Sequence, residues 1–218
     1  MKILQWIGAV AVIASVAGCA ATPAVQYYTL LPSAGSADRS VPASIAPSSK
    51  AGYAISVQPV QLPEQVDRPQ IVISTQDSGS TQVMPLNDSL WASPLSDQIR
   101  RALADDLSRQ LNVLDISVQS APASLPLWKV YLAVQRFESV YNQHIVLETT
   151  WRLVSVNQSG KKGKICRAEV REPVQPGIPA LITGHQHALH ELAIVIAAQL
   201  SGQNPGRGAP NVHVKGCA

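Results

Sequence analysis

Between Trp128 and Leu153 the chain alternates apolar and polar residues over two strand lengths, with one turn signal between them. That period of two dictates an antiparallel pair with one dry face. Trp128, Val130, Leu132 and Val134 fall on one side, against Lys129, Tyr131 and Gln135 on the other. Asn142-Gln143 supplies the turn, and Ile145, Leu147, Thr149, Trp151 and Leu153 resume the pattern opposite Glu148, Thr150 and Arg152. Gly160-Lys161-Lys162-Gly163 marks a second turn, followed by Ile165 to Arg171 with Cys166, Ala168 and Val170 on one face. The two lysines could meet lipid headgroups; a solvated hairpin tip asks for the same residues. The tryptophans and leucines of these strands could line an acyl-chain groove, although a core needs them equally.

A sheet with one dry face needs a cover, and two helices are predicted to provide it. Ser93 can cap, Pro94 suits the first helical position, and Asp97 favours the positive end of the dipole. Leu95, Ile99, Leu103, Leu107 and Leu111 then recur every four residues, a single apolar stripe opposite Arg100, Arg101, Asp105, Asp106 and Arg109. Asp105 and Asp106 point about 100° apart on a helix, which suits a solvated face better than a catalytic pair. A last helix is predicted from Pro179 to Leu200 through Leu189, Leu192, Ala193 and Ile196, with Gly202 placed to stop it. Shorter strands are expected at Tyr27 to Leu31, Tyr53 to Val60, Gln70 to Thr75, Thr81 to Leu86 and Val113 to Gln119, with a hairpin turn at Gln76 to Gly79. The expected fold is α+β: a largely antiparallel sheet with two helices packed on one face.

The amino-terminal segment determines the compartment. Ile7 to Ala17 is an apolar run of 11 residues. It is about 16 Å long as a helix, roughly half of a bilayer core. It suits the h-region of a secretory signal better than a spanning helix. Val16-Ala17-Gly18-Cys19 resembles the bacterial lipobox, in which the Cys thiol receives diacylglycerol and the new amino terminus is acylated; a plain signal peptide with an incidental Cys is the alternative. On this reading residues 1–18 are a signal peptide, Cys19 is lipidated, and 19–26 form a tether reaching at most about 28 Å to Tyr27. Residues 27–201 form the domain. Within it, 33–52 are a loop in which Ser, Ala, Gly and Pro fill 15 of 20 positions. Residues 202–218 form a tail, rich in Gly, Pro and Asn, that would fray unless tied down. Resemblance to sorted lipoproteins implies that Ala20, rather than Asp, directs the protein to the outer membrane, facing the periplasm.

Charge narrows the partners. Seventeen Lys and Arg against 14 Asp and Glu give a formal +3 without a long basic run, so nucleic-acid binding has little support. In an oxidising compartment Cys166 and Cys217 are candidates for a disulfide; two unpaired thiols or an intermolecular bridge are the alternatives. No nucleophile elbow, phosphate-cradling loop or H-E-x-x-H is present, so no catalytic residue and no cofactor is assigned. His185, His187, His190 and Glu191 form the one suggestive cluster. Helical spacing lets His187 share a metal with His190 or Glu191, yet a catalytic zinc needs a third ligand and an open position. A helix end displaying imidazoles is the simpler account.

Three segments, in order after the lipobox, resemble the paraquat-inducible protein C family of lipoproteins. They are Tyr27-Tyr28-Thr29-Leu30, then Val60-Gln61-Leu62-Pro63 with Asp67-Arg68-Pro69-Gln70-Ile71-Val72, then Leu90-Trp91-Ala92-Ser93-Pro94-Leu95. The resemblance implies a non-enzymatic auxiliary component of a transporter that moves phospholipid between membranes. Its partner would be a tunnel protein built of mammalian-cell-entry domains, met by a ring of copies of this chain. Tyr27, Tyr28, Asp67, Arg68, Pro69, Leu90, Trp91 and Pro94 become the residues to watch, with packing at the start of the helix or partner contact as the role of Trp91. A stand-alone envelope lipoprotein, or a periplasmic metal-dependent hydrolase using the His cluster, are the competing functions.

Overall fold

The computed structural model describes residues 24–31, 52–74, 82–117, 122–203 and 209–218. The signal peptide, Cys19, the first part of the tether, nearly all of the 33–52 loop and the turn at 76–79 lie outside the described residues. In chain order the elements are β1 (Gln26–Tyr28), β2 (Ala54–Val57), β3 (Gln70–Ser74), β4 (Val83–Trp91), α1 (Leu95–Leu111), β5 (Leu127–Val140), β6 (His144–Val156), β7 (Lys164–Pro173), α2 (Ile178–Leu200) and β8 (Val212–Cys217). The fold is α+β.

The long alternating stretch forms β5 and β6, paired antiparallel from Leu127↔Val156 to Val140↔His144. The alternation breaks at Gln135, where two residues oppose one and the register shifts between Val134 and Arg136. This bulge changes the parity of β5. Before it the even residues Trp128 to Val134 are buried; after it Phe137 and Ser139 are. β6, β7 and β8 continue antiparallel. The sheet is mixed, because β1 pairs parallel with β4 and β2 parallel with β5, while β3 touches β5 parallel at Ser74↔Val140. Side-chain alternation has the same period in either direction, so it carries no trace of this. Its strand order is β1-β4-β3-β5-β6-β7-β8, with β2 beside β5 off that path.

Three expectations need correction. The segment after residue 201 is not a tail: Val212–Cys217 is a strand of the sheet, held by the ladder to β7. The run from Val113 makes a single bridge, Ile55↔Asp115, and no ladder among the described residues. Ser93 does not cap α1; Pro94 stands at the cap position without a side-chain bond, and the helix starts at Leu95.

The two helices pack on each other, α2 across β6 and β7 and α1 against β2. They share one core with the dry sheet face, including Leu103, Leu107, Trp151, Leu153, Leu189, Leu192 and Ile196. Gly184 sets the approach of α2: a Cβ there would sit 2.5 Å from Val174 Cγ1 and 3.3 Å from Ile145 Cγ1. The opposite sheet face carries Arg136, Glu148, Arg152, Arg167, Glu169 and Lys215, and is largely a lattice of ion pairs.

Candidate functional site

Pro63 begins a turn, accepting from the backbone N–H groups of Val66 and Asp67 at 3.0 and 3.2 Å, and this turn carries Asp67, Arg68 and Pro69 to the start of β3. The carbonyl of Pro69 accepts from Trp91 N–H at 2.7 Å, and Gln70 lies opposite Leu90. The chain then turns from β4 into α1 through Ser93 and Pro94. Residues some twenty-five positions apart thereby enclose one hollow of about 360 Å³, lined by Asp67, Arg68, Pro69, Trp91, Ser93, Pro94 and Leu95. Its walls are mainly apolar, with the exposed Asp67 and Arg68 beside them.

β1 lies alongside. Tyr27 is opposite Leu90 and Tyr28 opposite Trp91, and Tyr28 O accepts from Ala92 N–H at 2.8 Å. Beyond it Leu30 is buried, and its N–H donates 2.7 Å to Gln98 Oε1. Gln98 Nε2 in turn donates 2.8 Å to Ser93 O, at the mouth of α1. From the other helix, Gln186 Nε2 donates to Thr29 O at 3.2 Å. The strand leading in from Cys19 is thus stitched to β4 and to both helices. Tyr27 stays 67% exposed, which leaves a phenol ring on the surface next to the hollow.

Of the motif residues, Asp67 to Pro69, Trp91 and Ser93 to Leu95 therefore line one hollow with β1 beside it, whereas Gln61 bridges to Ala133 in β5. Trp91 is only 6% exposed and forms the floor. Its ring meets Phe137 edge-on at 6.2 Å, and Phe137 stacks on His185 at 3.8 Å with planes 8° apart. The ring of His185 is 3.8 Å from that phenyl and its Nε2 is 2.8 Å from Ser139 Oγ, while Nδ1 is buried without a hydrogen-bond partner among the described residues. Burial pushes its pKa down to about 3, so the imidazole is neutral. Sequence reasoning missed Gln98 and Phe137. The legible sign was a polar residue, Gln98, on the apolar stripe of α1 between Leu95 and Ile99.

The histidine cluster does not gather. His185 points into the core; His187 Nδ1 is 3.6 Å from Glu172, and His190 Nδ1 is 3.2 Å from Asp106. Glu191 reaches Asn211 at 3.4 Å, and its carboxyl pKa is raised by burial and by the nearby Glu172. Elsewhere a disulfide joins Cys166 to Cys217 across β7 and β8. Gln199 Nε2 donates to both sulfurs, at 3.2 and 3.6 Å, and its Oε1 accepts from Trp151 Nε1–H at 2.9 Å.

The sequence pattern of a family described as "ABC-type transport auxiliary lipoprotein component" matches residues 36–197. No curated protein matches the chain. Among solved structures, an uncharacterized protein is 20% identical with a TM-score of 0.58, over 81% of this chain and 99% of its own. A Xanthomonas campestris protein placed in the DUF330 family is 15% identical with a TM-score of 0.53, over 68% of this chain and 83% of its own. At these identities the two share the fold.

Proposed function

This chain belongs to the ABC-type transport auxiliary lipoprotein family, and from that premise we propose that it is the outer-membrane-anchored auxiliary subunit of an intermembrane lipid transporter. Its thioether-linked lipid on Cys19 holds the body in the periplasm. Its partner is a tunnel protein of mammalian-cell-entry domains, which a ring of copies of this chain receives at the tunnel tip. Envelope integrity follows from the traffic it supports.

The physical need is a shielded path. A phospholipid in water exposes tens of CH₂ groups at roughly 0.8 kcal/mol each, so transfer without a covered route is slow. Three acyl chains on one residue make release negligible, since each buried CH₂ adds about 0.8 kcal/mol. A body held within about 28 Å of the leaflet can stand at the end of that route. No bond is broken in this role.

One observation carries the reading. Residues from two of the segments that resemble the family, Asp67 to Pro69 and Trp91 with Ser93 to Leu95, close the hollow over Trp91, and the third segment, Tyr27 to Leu30, lies beside it in the strand that continues the tether. A mostly apolar hollow flanked by one carboxylate and one guanidinium is suited to seat a protruding partner segment. The test is a photo-crosslinking side chain at Arg68 in cells, followed by identification of what it captures. Capture of a mammalian-cell-entry-domain protein supports the proposal. Robust lipidated protein that captures no such partner, from this position or from Tyr27, would overturn it.

A further inference from the structure

The ion-pair lattice on the outer sheet face stops abruptly at one end. Between Glu148 and Glu169 the chain holds Arg152, Lys161, Lys162, Lys164 and Arg167 and no acidic residue. Arg167 pairs with Glu148 at 2.9 Å. The other four join no ion pair among the described residues. They frame apolar surface. Tyr131, Arg152 and Ile165 lie in one cross-strand row over β5, β6 and β7. Arg152 stacks on the Tyr131 ring at 4.4 Å, which leaves the in-plane N–H donors of its guanidinium outward. Ile165 beside it is 44% exposed. Two hollows, of about 380 and 220 Å³, meet at Arg152 and Ile165; the larger also takes in Leu153, Val154, Lys161 and Lys164.

We propose that this end of the outer face binds an anionic phospholipid, with Arg152, Lys161 and Lys164 on the headgroup phosphate and Ile165 against the first methylenes of a chain. The inference deepens the lipid-transport reading and rests on it for the source of the lipid. Charge complementarity selects the occupant: unpaired cations around an exposed aliphatic side chain and a hollow with apolar walls match an amphiphile with a negative head. An acidic protein surface would satisfy the lysines and leave Ile165 in water.

The test uses the full processed protein with nanodiscs carrying a photoactivatable phosphatidylglycerol whose diazirine lies near the glycerol. Parallel discs carry the same probe on phosphatidylcholine. Label is expected on the peptides containing Arg152 and Ile165, at least fivefold stronger with phosphatidylglycerol. The exposed triple variant Lys161→Gln, Lys162→Gln, Lys164→Gln should lower it fivefold or more, as should 10 mM inorganic phosphate only if a bare phosphate suffices. Even labelling over the whole surface, equal labelling from both lipids, displacement by inorganic phosphate, or an unchanged triple variant overturns the proposal. The mass of the residue-19 peptide reports the anchor separately: unlipidated protein that still labels at the row keeps this site and removes the anchoring reading.

Discussion

Tyr28 lies opposite Trp91 in the parallel pairing of β1 with β4, and the carbonyl of Tyr28 accepts from the next residue, Ala92, at 2.8 Å. β1 is therefore built onto the floor of the hollow, alongside the strand whose last residue is Trp91.

Packing and docking at this patch separate by mutation. Trp91→Ala removes a buried indole from its contact with Phe137 and should lower stability by about 3–5 kcal/mol. Arg68→Ser changes an exposed rim residue and should leave the melting temperature within a degree while weakening partner capture. Thermal unfolding beside co-purification checks both. Equal destabilisation by the two changes would refute the division.

Cys217→Ser should be costly although the residue is next to the last. The bridge spans 51 residues, worth about 4 kcal/mol on the chain-entropy model. At roughly 2–4 °C per kcal/mol for a chain of this size, the melting temperature should fall by about 10 °C. Gln199 Nε2 would also lose one of its two sulfur acceptors, keeping Cys166. Hydrogen exchange should then show β8 opening ahead of β7; a β8 that stays protected would mean the ladder alone secures it.

The sheet was legible where one face is dry. Ile145 to Leu153 and Cys166 to Val170 face the core as their alternation requires. Illegible were events set by neighbours. The bulge at Gln135 leaves only two adjacent polar residues in the chain, yet it moves Phe137 and Ser139 inward. β8 is a brief alternation, Val212 and Val214, in a stretch whose Gly and Asn read as coil; pairing with β7 and the bridge at Cys217 make it a strand. The patch was half legible. Resemblance picked out Asp67 to Pro69 and Leu90 to Pro94, but only the β3–β4 pairing and the Pro69–Trp91 hydrogen bond bring them together. The histidines read as a cluster because helical spacing says nothing about tilt; with Gly184 seated against Ile145 and Val174, His185 turns inward and its neighbours outward.

The acid limit of stability should reside in the outer face. Lys215 Nζ sits 2.5 Å from Glu148 and 2.9 Å from Glu169, and its hydrogen bonds hold both carboxyl groups below the usual range; Arg167 adds to the effect on Glu148, and Arg136 to that on Glu169. Carboxyls depressed in the folded state stabilise above the unfolded Glu value, near pH 4.3, and lose that contribution as pH falls through their folded values. Lys215→Met should therefore destabilise at pH 7 and progressively less below pH 4. Urea midpoints across that range decide it; a difference that holds constant down to pH 2.5 would rule the pairing out.

His185 should set a second window at higher pH. Its folded pKa of about 3 lies below the ordinary 6.5, so the unfolded chain takes up a proton that the native core refuses. Stability is then full above pH 6.5 and falls by about 1.4 kcal/mol per pH unit below it, until the folded value is reached. Between pH 6.5 and 5 Glu148 and Glu169, held below the usual range, are still ionised, so this slope is separable from theirs. His144 contributes with the same sign, since partial burial and then Arg171 hold its pKa down. A His185→Phe variant retains a flat ring against Phe137 and removes the titration, leaving His144 in place. Its urea midpoint should change less between pH 7 and 5 than that of the unmodified protein, by about 2 kcal/mol after multiplication by m. Identical pH dependence in the two proteins, or a nitrogen spectrum showing a charged imidazole at residue 185 at pH 5, would mean that water reaches the ring and that the stack under Trp91 is open.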